Sequence, residues 1–246
     1  MSDLDATTPR VFLARHGETE WTKNGRYTGT TDLALTPYGI TQVAGTARQL
    51  VGSGKLIDPA NVAHVYVSPR LRARQTFDLL FSSNARAAGD AAAGGVPPLA
   101  TEKVTVTEDI AEWDYGDYEG LLVGEIRARR KERGMDGERP WNIWRDGCEG
   151  GESAEQVTDR LDKMIAKIRE IQEPCINNGG KPADVVLVAH GLILRAFVKR
   201  WLRYPLDDPL PMMFSPGAIG VLSYKNHNVD EPGFYVGMAL PMTELD

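Results

Sequence analysis

Apolar residues follow two different periods along this chain. Short unbroken runs, Val11-Phe12-Leu13-Ala14 and Val185-Val186-Leu187-Val188-Ala189, have the length and branched content of strands buried on both faces. Val62-Ala63-His64-Val65-Tyr66-Val67 and the brief Val104-Thr105-Val106 read as further strands. Between them the period lengthens to that of a helix. Ile40, Val43, Ala44, Ala47, Leu50 and Val51 recur at helical spacing after Thr36-Pro37, a hydroxyl N-cap followed by proline, and Gly52-Ser53-Gly54 closes the segment. Ser68-Pro69 gives the same start signal. The helix expected there carries Arg70, Arg72 and Arg74, with Leu71, Phe77, Leu79 and Leu80 as its core contacts. Further helices are expected over 123–132, through Val157, Leu161, Met164, Ile165 and Ile168, and over 193–202. Residues 218–224, a turn at Lys225-Asn226-His227-Asn228, and 234–236 read as a C-terminal hairpin.

Strands that alternate with helices imply an α/β fold: a mostly parallel central sheet with helices on both faces. Residues 1–9 are expected to be a loose tail and 18–36 a polar loop. The Ala/Gly/Ser-rich 82–100 stretch reads as a surface insertion without chemistry, and the charged, Trp-bearing 119–153 stretch as a lid-like insertion. No linker divides the remainder, so 10–246 is expected to form one domain. At 42% hydrophobic and 25% charged residues, 246 residues can bury a core and stay soluble. A net charge of -6 argues against a nucleic-acid binder and makes any arginine cluster a local device. No apolar run approaches the ~20 residues of a membrane span, and the acidic N-terminus lacks a secretory pattern. Cys148 and Cys175 read as reduced thiols, which points to the cytoplasm and leaves the nucleus open. They give no metal-ligand spacing with the histidines, so neither metal nor cofactor is expected.

The chemistry gathers at strand ends. The first apolar run stops at Arg15-His16-Gly17, and a later one stops at His190-Gly191. Gly17 lets the backbone turn without a Cβ in the way. In open α/β sheets ligands bind beyond the carboxyl ends of the strands. Two imidazoles delivered to one sheet edge, with an arginine fork beside them, suggest an anionic ligand, above all a phosphate. The same arginines disfavour a second positive charge and so push the His16 pKa down.

Five separated segments occur in the order in which they stand in the histidine phosphatase superfamily, which includes the phosphoglycerate mutases. They are Arg15-His16-Gly17, the Ser68-Pro69-Arg70-Leu71-Arg72-Ala73-Arg74-Gln75-Thr76 run, the 112–120 segment, Gly151-Glu152-Ser153 and His190-Gly191. The chain resembles that superfamily over most of its length. A narrower likeness, to the fungal sedoheptulose-1,7-bisphosphatase branch, rests on Thr19-Glu20-Trp21, Gly25-Arg26-Tyr27-Thr28-Gly29, Glu112-Trp113-Asp114-Tyr115-Gly116-Asp117-Tyr118-Glu119-Gly120, the Arg139-to-Cys148 run and His227-Asn228-Val229-Asp230-Glu231-Pro232. The stretch between Arg195 and Ala218 looks shorter than in that branch.

The resemblance implies a phosphoglycerate mutase-like fold and a small-molecule sugar bisphosphate as partner, with no nucleic acid and no membrane. Self-association stays open. It implies hydrolysis through a phosphohistidine on His16. Arg15 and Arg72 would hold the phosphoryl oxygens, and His190, if protonated, would be a further donor. Glu112 would protonate the leaving oxygen and later deprotonate water. Ser68 and Tyr27 would supply hydroxyls, Thr28 and Gly191 would line the substrate, and Arg195 would grip the remote phosphate. Arg70 and Arg74 are expected to be solvated, His64 to be a satisfied core or rim residue, and His227 to face solvent. Trp141 and Trp144 form either an apolar wall over the substrate or a lid packed on the body. A phosphoglycerate mutase, a broad-specificity sugar phosphatase and a catalytically silent binding module remain alternatives. Thr22, where mutases carry asparagine, counts against the first. The full set Arg15, His16, Arg72, Glu112 and His190 counts against the last.

Overall fold

Six strands pair in the order β3-β2-β4-β1-β5-β6. They are β1 (Val11–Arg15), β2 (Val62–Val67), β3 (Val104–Val106), β4 (Asp184–Ala189), β5 (Ile219–Tyr224) and β6 (Pro232–Phe234). The computed structural model describes residues 8–81, 99–178 and 183–238. The first four strands in the sheet order are mutually parallel, and β5 and β6 add an antiparallel margin.

Side chains leave a strand alternately to its two faces, and β1 and β4 show how both are covered. Val11, Leu13, Val185, Leu187 and Ala189 join one core; Phe12, Ala14, Val186 and Val188 join the other. Helices α2 (Pro37–Leu50) and α3 (Leu71–Phe81) cover the second face. The long α6 (Ala154–Asn178) and α7 (Gly191–Trp201) cover the first. Burial on both faces explains why these two strands read as unbroken apolar runs. A register irregularity between Val62 and His64 lets Val62, Val65 and Val67 share one face despite unequal spacing.

Several boundaries differ from expectation, each for a local reason. The 18–36 stretch is not all loop: α1 (Glu20–Asn24) forms inside it, because Thr19 and Thr22 cap each other's backbone N–H groups. Ser68-Pro69 does not start α3. The helix begins at Leu71, whose N–H donates to Asp32 at 2.5 Å, and the Ser68 hydroxyl is used elsewhere. The buried face of α3 is Arg72, Ala73, Thr76 and Leu80, while Leu71, Phe77 and Leu79 are half-buried. Ile40 on α2 is exposed, and α7 starts two residues early, at Gly191. The hairpin exists, but its second strand is 232–234, and Val236 lies exposed beyond it. Thr8 and Pro9 are buried, so the loose tail does not extend to residue 9; residues 1–7 lie outside the described residues. So do 82–98 of the expected insertion.

The 119–153 stretch folds onto the body. It contains α4 (Val123–Glu132) and the short α5 (Ile143–Asp146), and Ile126, Trp141 and Ile143 join the core beside α6 and α7. Of the two readings of the tryptophans, the structure supports packing on the body. Trp141 donates its indole N–H to the Gly147 carbonyl and lies edge-on to Tyr118 and Tyr27. Trp144 sits edge-on to Trp113, with the Lys199 ammonium 4.2 Å from its ring centroid. Among the described residues no helix is long and apolar enough to cross a membrane.

Candidate active site

Strand register assembles the site. Arg15 pairs with Ala189, and Val67 with Val188, so β1, β4 and β2 end almost level. The next residues out are His16, His190 and Ser68. The His16 N–H donates to the Ala189 carbonyl and the Ser68 N–H to that of Val188. The two imidazoles lie edge to face, with ring centroids 5.1 Å apart. Gly17 is required by approach: a Cβ there would come within 2.6 Å of the Gly39 carbonyl oxygen on α2.

Each ring's tautomer follows from its partners. Nδ1 of His16 lies 2.7 Å from the Gly17 carbonyl oxygen, which can only accept. Nδ1 therefore carries the proton, and Nε2 keeps a lone pair. Burial first, then the charge of Arg72, hold the His16 pKa well below its ordinary 6.5. His190 is different. Arg72 Nε donates to its Nδ1 at 3.0 Å, so the ring proton is on Nε2, 2.6 Å from Ser68 Oγ. Burial and then Arg72 again push the pKa well down. The donor role given to His190 from sequence is conditional on protonation, and the ring has no room for a second proton while Arg72 donates to Nδ1. Ser68 is fully buried against His190, so its hydroxyl orients the imidazole.

Arg72 is fully buried. Nη1 donates to the Thr31 carbonyl at 2.9 Å, and Nη2 to those of Thr28 and Gly29 at 2.9 and 3.0 Å. Thr28 thus contributes its carbonyl here, while its hydroxyl donates to the Arg26 carbonyl. Arg15 donates from Nη1 to the Phe214 carbonyl, and its buried Nε has no partner among the described residues. Gly191 makes space for this guanidinium: a Cβ there would lie 2.8 Å from Arg15 Cζ.

Glu112 is buried at the start of α7. Its oxygens accept from the N–H groups of Leu192 at 3.1 Å, Ile193 at 2.9 Å and Trp113 at 3.0 Å. His190 makes no side-chain cap on that helix, so Glu112 caps it from 80 residues away. Arg195 is half-buried one turn along, its Nε on the Gly191 carbonyl at 2.9 Å. Its charge reaches Arg15, Tyr27 and Tyr115. The Tyr27 ring stands 4.7 Å from Tyr115 and 6.0 Å from Trp141.

Tyr115 is the residue that sequence reasoning missed. It is buried, and burial first, then the Glu112 charge, raise its phenol pKa well above 10, so it stays a donor. The signal was present in Glu112-Trp113-Asp114-Tyr115, where aromatic residues alternate with carboxylates. Thr76 was missed too; its Oγ1 accepts the Gly17 N–H at 3.3 Å.

The residues expected to be bystanders divide. Arg74 is exposed, as a solvated charge would be. Arg70 is not: its side chain is only 20% exposed and pairs with Glu108. His64 donates to or accepts from Thr105 Oγ1 at 2.9 Å. His227 does not simply face solvent but is half-buried, with Nδ1 3.1 Å from Thr8 Oγ1. Among the described residues no three His, Cys, Asp or Glu side chains gather as a metal site.

Comparison with known proteins places this geometry. The sequence model of the Histidine phosphatase superfamily (branch 1) matches residues 11–231. The chain is 39% identical to the sedoheptulose 1,7-bisphosphatase of Saccharomyces cerevisiae, over 93% of this chain and 92% of that one. It is 36% identical to an acid phosphatase of Mycobacterium tuberculosis, over 88% and 87%. A solved open reading frame product from M. tuberculosis superposes with a TM-score of 0.67 at 30% identity, over 93% of this chain and 96% of that one.

Proposed function

The chain belongs to the histidine phosphatase superfamily, branch 1, and on that premise we propose that it is a sugar-bisphosphate phosphatase working through a phosphohistidine on His16. Its membership makes it a phosphoric monoester hydrolase. The substrate we assign is sedoheptulose 1,7-bisphosphate, released as sedoheptulose 7-phosphate; the likeness to the yeast enzyme supports it. The observation that carries the mechanism is the neutral His16 ring. Its Nδ1–H is tied to Gly17, and its Nε2 lone pair lies in a site walled by two guanidinium groups.

Nε2 attacks phosphorus, and the P–O bond to the sugar breaks. Glu112 gives its proton to the departing oxygen. Water then attacks the phosphorus of the phosphohistidine and loses a proton to Glu112. The P–N bond breaks, and His16 and Glu112 return to their starting states. Charge spread over the phosphoryl oxygens is met by Arg15 and Arg72. Tyr27 and Arg195 stand further along the site and face the rest of the sugar. We place the reaction in the cytoplasm, where a reduced thiol such as Cys148 persists.

The test is phosphate release from sugar bisphosphates, sugar monophosphates and phosphoglycerates, each with and without EDTA. Bisphosphates should be the best substrates, EDTA should change nothing, and His16→Ala should abolish release. Acid-labile, base-stable phosphate should be trapped on the wild-type protein alone. Full activity of His16→Ala overturns the covalent route. Phosphate exchange between phosphoglycerates without net release makes the chain a mutase.

A further inference from the structure

Glu119 lies outside the phosphate-handling set, yet it governs the turn that holds Arg72. Its carboxylate accepts the Gly29 N–H at 3.0 and 2.9 Å and the Thr31 N–H at 2.9 Å. Both amides come from a stretch about ninety residues earlier in the chain. On the other side of that turn the carbonyls of Thr28, Gly29 and Thr31 accept from Arg72.

One peptide unit joins the two groups directly. The C=O of Thr28 and the N–H of Gly29 belong to the same plane and, in a trans peptide, point in opposite directions. When Glu119 fixes that N–H, it fixes the direction of the carbonyl that receives Nη2 of Arg72. An anion at one end of the peptide and a cation at the other polarise it in the same sense, so each bond strengthens the other. Only glycine fits between them: a Cβ on Gly29 would lie 2.4 Å from the Trp113 carbonyl oxygen and 2.9 Å from Glu119 Oε2. The chain of contacts continues through Arg72 Nε to His190 and from there to Ser68.

Three carbonyls and one imidazole nitrogen take four of the five N–H groups of Arg72. A single Nη1–H is left for a ligand. A contact with one free donor has no second bond to correct its aim, so its geometry is set by whatever holds the other four.

We propose that Glu119 is a positioning residue, which sets the aim of Arg72 at the transferring phosphoryl group by holding the 28–31 turn. This rests on the phosphatase reading for its effect on rate, but not for its effect on Arg72 itself. Two measurements therefore separate them. The first is steady-state hydrolysis of a sugar bisphosphate by Glu119→Ala, Glu119→Gln and Glu119→Asp, alone and combined with Arg72→Lys. Glu119→Ala should lower kcat at least ~10-fold with KM within about threefold, as misaimed catalytic contacts do. Glu119→Gln, which keeps an acceptor oxygen, should recover most of the loss. Glu119→Asp keeps the charge but withdraws the oxygens, so it should resemble alanine; it also serves if the alanine variant folds poorly. In the Arg72→Lys background Glu119→Ala should cost less than about twofold, because the two act as a unit.

The second measurement needs no substrate. The Nε–H of Arg72, identified by its absence from the Arg72→Lys spectrum, should exchange with solvent at least ~10-fold faster in Glu119→Ala. Full kcat in Glu119→Ala, or losses that multiply independently with Arg72→Lys, would overturn the proposal. So would unchanged exchange of that N–H. Accelerated exchange in a protein that hydrolyses nothing would uphold the link to Arg72 and overturn the phosphatase reading.

Discussion

Before any ligand arrives, Arg72 already holds three backbone carbonyls and an imidazole nitrogen, and this changes what its loss should do. From sequence, Arg72→Ala is expected to lower activity and leave folding intact. In the structure the same change leaves three buried acceptors without donors, the carbonyls of Thr28 and Gly29 and Nδ1 of His190, while the Thr31 carbonyl keeps the Leu33 N–H. Each costs on the order of 1–3 kcal/mol, so stability should fall by at least ~3 kcal/mol while kcat/KM falls more than ~100-fold. Urea unfolding beside kinetics checks both; an unchanged midpoint would mean the carbonyls find other partners. Arg195 is lightly tied: its Nε donates to the Gly191 carbonyl, and its charge reaches toward Tyr27 and Tyr115. If it meets the remote phosphate, Arg195→Ala should cut the preference for a bisphosphate over a monophosphate ~10-fold, the worth of one charge-assisted contact. Equal losses on both substrates would place it at the reacting phosphate instead.

At the scale of elements, the start of α7 is the junction on which the site turns. Its first turn gives two N–H groups to Glu112, and Gly191 lets Arg15 pass. In Gly191→Ala the new Cβ meets the tip of a flexible side chain, not backbone, so the fold should yield by moving Arg15. We expect kcat/KM to drop at least ~10-fold with Tm nearly unchanged, measured by kinetics and thermal melting; a large fall in Tm would show that Arg15 cannot move. The same junction shows what the sequence made legible. Strands buried on both faces announce themselves as apolar runs, so β1 and β4 and the histidines that follow them stand out. Contacts made by backbone carbonyls do not. Thr28, Gly29, Thr31 and Phe214 hold the arginines through an atom that every residue carries, and no side-chain pattern marks them. Ser68 was misread for a related reason: a serine before a proline signals a cap, yet its hydroxyl faces a histidine 122 residues away.

For the molecule as a whole, the two buried imidazoles tie stability to pH. Both have pKa values held well below 6.5, by burial first and then by Arg72. In the unfolded chain they take up protons near 6.5, whereas the folded protein resists. The unfolded state therefore carries more protons below that pH, and stability falls as pH drops through the window beneath 6.5. The urea midpoint should decline from pH 7 toward pH 5, and His16→Ala, with one imidazole fewer, should decline less. A flat profile would mean that the rings protonate without loss of structure. The sheet order has another consequence, and it is one of time. β1 pairs only with β4 and β5, which lie more than 160 residues later in the chain. At roughly 5–20 residues per second, a growing chain carries its first strand unpaired for on the order of 10–30 s. Through that interval His16 has been made, but the edge that would face it has not. A ribosome that stalls before β4 releases an apolar strand and no phosphatase, so each finished active site certifies that its chain was read past His190.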